Sequence, residues 1–328
     1  MPIHLRTPSS QAFARRAAGS TALAAALALI AACGSGTGAE DAAPGAAAGK
    51  PVQVAGVAVA EDKALHEALP PAIRDAGVLR VASDVPYPPF EMFEKEGSTK
   101  ITGLDYDLAQ ALGGKLGLRI EFTPQKFDGI IPAIQAGKFD LAISAMTDNK
   151  QRQQVVDFVD YSVSGTGVLV KEGNPRGITA ALDLCGHKVA AQAATNQADF
   201  VKEQQPKCAA AGKGKIDLQT YPKDSDTQLA VSSGKADAAV ITKPAAGYIA
   251  KTVGDGGTFD LVDDPGAKGG YNASPNGIAV TKKHPGLADA LLKALQSLMD
   301  DGTYGKILDK YGVASIGLDK ATKNAAVD

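Results

Sequence analysis

Arg152 carries the most specific chemistry in this chain. Its planar guanidinium pairs bidentately with a carboxylate, and it follows the hydroxyl-bearing run Ser144-Ala145-Met146-Thr147. Tyr87 and Phe127 can present ring faces to an aliphatic or cationic group. Asp84 can accept from an ammonium, and Thr195, Asn196 and Thr242 add hydroxyl and amide groups. One acid, one arginine, two aromatics and several hydroxyls suit the capture of a small zwitterion better than a reaction. No Ser/His/Asp or Cys/His set stands near them, and His66, His187 and His284 fall at no predicted strand end. An enzyme using Asp84 or Glu91 as an acid is one rival reading, and a ligand-sensing subunit for a separate membrane protein is another.

These residues need elements to hold them. Val78-Leu79-Arg80-Val81-Ala82 reads as a strand, and the prolines at 86, 88 and 89 make a rigid loop after it. Leu104, Leu108, Leu112 and Leu116 recur at fourfold spacing, which predicts a helix over 105–116 closed by Gly117. A strand over 118–122, a helix over 128–135 and a strand over 140–143 follow. The series repeats with strands over 188–191, 216–220 and 236–241 and helices over 196–202 and 227–233. Alternating strands and helices with short connections define α/β lobes with largely parallel sheets, and the repeat predicts two lobes with a cleft between them. Ligands in open α/β sheets sit at the carboxyl ends of strands, which is where the residues above fall.

The chain ends carry other signals. Arg6, Arg15 and Arg16, an apolar stretch from Ala22 to Leu29 and small residues before Cys33 read as a secretory leader over 1–32, with Cys33 taking a lipid at the cut. A conventional leader cut elsewhere, with Cys33 incidental, is the alternative. Acyl chains on Cys33 would hold the protein on the outer face of a bacterial cell membrane without inserting it. Residues 33–77 read as a flexible Gly/Ala-rich stalk and short lead-in, with a proline-broken helix over 67–73. The net charge of the whole chain is -2, or about -5 without the leader's arginines, so nothing draws it to nucleic acid. Cys185 and Cys208 form an even pair in an oxidising compartment, and a disulfide is preferred over two free thiols. With four histidines and no ligand spacing, neither a metal nor another cofactor is expected.

Four segments in order resemble one family: Leu79-Arg80-Val81-Ala82-Ser83-Asp84-Val85-Pro86-Tyr87-Pro88-Pro89-Phe90-Glu91, Gly103-Leu104-Asp105-Tyr106-Asp107-Leu108-Ala109, Phe127-Asp128-Gly129-Ile130-Ile131-Pro132 and Arg152-Gln153-Gln154 onward to Tyr161. Their order and spacing are similar to family 3 extracellular solute-binding proteins, receptors of ABC importers for polar amino acids. The resemblance covers roughly 78–315 and implies a type II periplasmic-binding fold with two crossover strands. Lobe 1 would hold 78–167 plus 271–315, lobe 2 would hold 168–270, and 316–328 would be a polar tail.

By that pattern Arg152 clamps an α-carboxylate with Thr147, Thr195 and the amides after it, while Tyr87 and Phe127 sandwich the side chain. Asp84 lies near the amino group or side chain, Ser144 and Ala145 face the ligand, and Asn196 and Gln192 touch its variable part. The chain departs at Thr242, where typical members place an aspartate against the α-ammonium. Either Asp84 or Asp148 takes the amine, or the ligand is a betaine, an ectoine or an opine. The implied protein is a monomeric receptor that delivers its solute to the permease subunits of an ABC importer.

Overall fold

The computed structural model describes residues 51–326. The leader, Cys33 and most of the stalk lie outside the described residues. One sheet runs through both lobes in the order 217–221, 188–192, 238–242, 156–171, 271–281, 141–142, 78–83 and 119–124. The two long strands in its middle, Val156–Lys171 and Tyr271–Thr281, pair antiparallel and pass from one lobe to the other. At one end, 78–83 pairs parallel with 119–124 and with 141–142. At the other, 188–192 pairs parallel with 217–221 and 238–242. Each lobe therefore has the parallel sheet its strand-helix alternation predicts.

The crossing has a local cause. A Cβ on Gly165 would lie 2.4 Å from the carbonyl carbon of Gly270, and one on Gly270 would lie 2.5 Å from that of Gly165. Two glycines let the crossover backbones touch there, with Gly165 N–H donating to Gly269 C=O at 2.9 Å. The first crossover strand changes partner at this point. Val156–Ser162 pairs with the second crossover strand inside lobe 1, whereas Thr166–Val170 pairs with Ala238–Thr242 of lobe 2. Thr166 pairs on one side with Tyr271 of the second crossover strand and on the other with Thr242 of lobe 2.

Burial follows the predicted pattern. Leu104, Leu108, Leu112 and Leu116 are all buried on the helix Leu104–Leu116, in a core shared with Leu79, Val81 and the helix Leu287–Asp300. Lobe 2 packs Val168, Val189, Val201 and Val240 around the Cys185–Cys208 disulfide, whose Cα atoms are 5.5 Å apart.

Both expected flanks differ from the structure. The stalk and lead-in, 33–77, contains a folded part: Val52–Val54 and Val57–Val59 form a hairpin, followed by the helices Lys63–Glu67 and Pro71–Ala76. Val54, Val59, Leu69 and Ile73 are buried in the lobe 1 core. A few apolar residues suffice because the helix Leu104–Leu116 presents Gly114 to the hairpin. The expected polar tail, 316–328, contains the strand Gly317–Lys323, which pairs with the first crossover strand. Its polar side chains are used: Thr322 Oγ1 donates to Asp160 at 3.1 Å, and Asn324 exchanges bonds with the main chain of Phe158. Helices Lys243–Thr252, Leu287–Asp300 and Thr303–Lys310 were not among the expected elements.

Candidate functional site

Strand ends from both lobes meet over a space of about 290 Å³, its open mouth included. Lobe 1 contributes Asp84, Tyr87, Glu91, Phe127, Ser144 and Ala145; lobe 2 contributes Gln192, Thr195, Gln197 and Thr242. Each comes from a predictable position. The strand Val78–Ser83 delivers Asp84, and the rigid loop after it, cis at Val85–Pro86 and Pro88–Pro89, turns Tyr87 inward. Phe127 opens the helix Phe127–Ala136. Thr195 caps the helix Asn196–Ala210 by accepting from Ala198 N–H at 3.2 Å and donates to Gln192 C=O at 2.7 Å.

The lobes touch through these residues. Thr242 N–H donates to the Tyr87 hydroxyl oxygen at 3.0 Å, and the two hydroxyls are 2.8 Å apart. Gln192 Nε2 donates to Asp84 Oδ2 at 2.5 Å. Asn149 Oδ1 accepts from Arg152 N–H at 2.8 Å, capping the short helix Lys150–Gln153, while its Nδ2 reaches across to Asn196 Oδ1 at 3.0 Å.

Arg152 is placed differently from the expectation. It is not in the cavity lining; its guanidinium donates to Thr147 C=O at 2.7 Å and to Ala194 C=O at 2.9 Å, one carbonyl from each lobe. It also stands 5.5 Å from the Phe127 ring centroid. Burial lowers its pKa to about 10, partly opposed by Asp199 and Asp148, so it stays cationic at neutral pH. Thr147 and Asn196 line an adjoining polar crevice of about 510 Å³, which shares Gln197 with the cavity. The expected site residues therefore divide between two neighbouring spaces, with Arg152 touching Phe127 of one and Thr147 of the other.

Asp148 turns away from the cavity. Its carboxylate accepts from Gln153 Nε2 at 2.8 and 3.0 Å and from Ala326 N–H at 3.0 Å. Of the two acids only Asp84 lines the cavity.

Glu91 was read only as a rival enzyme's acid, yet it lines the cavity. It is fully buried, and Ser144 Oγ donates to its Oε1 at 2.6 Å while accepting from Asp84 N–H at 3.0 Å. Asp105 lies beneath, accepting from Ala145 N–H at 2.7 Å and from the Tyr161 hydroxyl at 2.8 Å. Burial, then the facing Asp105 carboxylate, raises Glu91 well above the usual carboxylate range, and burial pushes Asp105 up to about 6. Two adjacent buried carboxyls resist joint ionisation, and Glu91 Oε2 has no hydrogen-bond partner among the described residues. Burial also raises Asp84, opposed chiefly by Gln192, and brings Asp224 behind it up to about 6.

Ala145 and Ala194 mark the cleft from both sides with φ of 44° and 61°. Left-handed backbone at a non-glycine residue costs energy and concentrates at ligand sites. Here it aims Ala145 N–H at Asp105 and Ala194 C=O at Arg152. Nothing in an alanine's identity announces this, so the sequence carries no signal for it. Among the described residues no group of three or more His, Cys, Asp or Glu side chains could hold a metal ion.

Two α/β lobes on paired crossover strands, with polar and aromatic strand ends facing each other, define the class of cleft-closing solute receptors. Residues 79–314 match the model of the bacterial extracellular solute-binding proteins, family 3, and the chain belongs to that family. The arginine-binding protein ArgT of Corynebacterium glutamicum is 32% identical over 259 residues, covering 78% of this chain and 81% of that protein. The histidine-binding periplasmic protein of Salmonella typhimurium is 29% identical, covering 71% and 86%. Among solved structures, the ancestral amino acid-binding protein AncCDT-1, a precursor of cyclohexadienyl dehydratase, is 36% identical with a TM-score of 0.64, covering 73% of this chain and 97% of that one. The architecture is the type II periplasmic-binding fold. The chain is thus an extracellular solute-binding receptor of this family.

Proposed function

We propose that the chain is a monomeric, lipid-anchored receptor that captures a cationic α-amino acid, with a guanidinium or ammonium side chain, and hands it to the permease of its importer. The observation that carries this reading is the chemistry of the cavity: its ionisable lining groups are Asp84, Tyr87 and Glu91, with Asp224 behind Asp84, beside the faces of Tyr87 and Phe127. A cationic side chain offsets the cost of the buried Asp84 carboxylate and gains ring-face attraction. Arg152 then takes the α-carboxylate by exchanging a main-chain carbonyl for the stronger charged acceptor, with Thr147 and the amides that open the helix after Thr195 completing its hydrogen bonds, while Ser144 and Ala145, whose donors serve Glu91 and Asp105, wall the cavity. Gln192 and Asn196 border the variable part of the solute. Relatives named for arginine binding, including the Streptococcus pneumoniae protein solved with L-arginine at 27% identity and a TM-score of 0.64, support the same class.

Thr242 bonds Tyr87 where typical members hold the amine's counter-ion, so Asp84 is assigned the cationic end of the solute. The test is calorimetry on protein stripped of solute by unfolding and refolding, titrated with the twenty amino acids, betaines, ectoines and opines. Arginine, lysine or ornithine should bind in the micromolar range or tighter, and Arg152→Ala and Asp84→Asn should each weaken binding at least 100-fold. Preference for a betaine or ectoine would assign Thr242 to a ligand without a free amine. Anchoring through Cys33 is checked by acyl labelling, which Cys33→Ser should abolish while releasing the protein from the membrane fraction.

A further inference from the structure

A second space between the lobes has the opposite chemistry. A crevice of about 830 Å³, including its open mouth, is walled by Lys243, Gly247, Lys251 and Lys268 of lobe 2 and faces Tyr311 and Ser315 of lobe 1. Lys243, Gly247 and Lys251 sit four residues apart on the helix Lys243–Thr252, so they share one face, and the glycine leaves a gap between two ammonium groups. The nearest atom to a Cβ at Gly247 is 3.8 Å away, so the missing side chain opens space and relieves no clash. Lys268 adds a third cation, and no acid lines the space.

None of the three lysines forms a salt bridge among the described residues. Lys243 Nζ donates to a neutral acceptor, Ala267 C=O, at 2.8 Å. Lys251 and Lys268 make no ion pair or side-chain hydrogen bond among the described residues. Asp264, which accepts from the Tyr271 hydroxyl at 2.6 Å and from Gly266 N–H at 2.8 Å, feels the Lys243 charge, and Asp107, behind Tyr311, pairs with Lys310 at 2.6 Å. Three ammonium groups around one crevice, in a chain of net charge -2, form a local positive field that attracts an external anion.

We propose that this crevice is a second binding site, distinct from the solute cavity, for a small multivalent anion such as a diphosphate or a tricarboxylate. Lysine suits such a ligand because each ammonium acts as a mobile point charge and needs no planar match. The charges on the anion must lie close together, because all three lysines border one space. Ser315 supplies a hydroxyl from the opposite wall.

Inorganic pyrophosphate, titrated calorimetrically into the protein at constant ionic strength, should give a saturable one-to-one isotherm. Lys251→Ala with Lys268→Ala should weaken it at least ten-fold without moving the thermal midpoint measured in the absence of anion, since both side chains are exposed. Lys251→Arg with Lys268→Arg keeps the charge and should retain the isotherm. Equal binding by the native protein and the double-alanine variant, or heat that chloride reproduces at the same ionic strength, would overturn the assignment.

Discussion

Glu91 shows what one buried side chain can impose on a receptor. Glu91→Gln keeps an oxygen to accept from Ser144, so it should cost less than about 1.5 kcal/mol. Glu91→Ala leaves the Ser144 hydroxyl without its acceptor and opens a cavity, and should cost about 3 kcal/mol, read by chemical denaturation. The buried acids also set a pH dependence. Asp105, Asp160 and Asp224 titrate near 6 in the folded protein because burial raises them, against about 3.9 unfolded. Their stabilising effect is complete below about pH 4 and is lost as pH rises through about 6, at up to about 1.4 kcal/mol per group per pH unit. Asp183 and Asp237 are lowered in the folded state by hydrogen bonds and charge partners that outweigh desolvation, so their contribution is lost only on further acidification. The melting temperature should therefore peak between about pH 4 and 5 and fall toward pH 7. A melting temperature that climbs steadily from pH 4.5 to 7 would refute this balance.

At the level of elements, legibility tracked periodicity. The leucines at 104, 108, 112 and 116 and the short apolar strands could be read because burial on one face leaves a repeating pattern. The hairpin Val52–Val59 and the strand Gly317–Lys323 could not, because three-residue strands have no period and an edge strand anchored by polar side chains looks like a tail. The site shows the same division. Asp84, Tyr87, Phe127, Ser144, Ala145, Gln192, Thr195 and Thr242 surround one cavity, whereas the split of Thr147 and Asn196 into a neighbouring crevice depends on lobe geometry that no local pattern encodes. Removing residues 319–328 should lower stability by about 2–4 kcal/mol, since several hydrogen bonds to Asp160, Phe158 and Asp148 go with them. Leu69→Ala should cost about 2–4 kcal/mol, showing that the lead-in belongs to the lobe 1 core. Urea unfolding of both variants checks this, and wild-type midpoints would return these segments to the status of appendages.

For the whole molecule, capture means moving between open and closed arrangements of two lobes. Among the described residues, side-chain contacts that join the lobes include Tyr87 with Thr242, Asp84 with Gln192, Asn149 with Asn196, Arg152 with Ala194 and Tyr248 with Met92. Tyr87→Phe removes two interlobe hydrogen bonds and should weaken solute binding about 5- to 30-fold while leaving stability almost unchanged. Gly165→Val inserts side-chain atoms where the crossover strands touch, and should prevent full closure. Small-angle scattering with saturating solute reads the result directly: the native protein contracts and the valine variant does not.

Asn149 gives that motion a direction. Its oxygen holds the main chain that carries Arg152, a bond made wholly within lobe 1, while its amide grips the other lobe through Asn196. When the lobes part, the grip is released and the hold remains. On the proposed reading, in which Arg152 takes the solute's carboxylate, its backbone is then already set, so an arriving solute meets a fixed bearing point on one jaw and has only the second jaw to recruit.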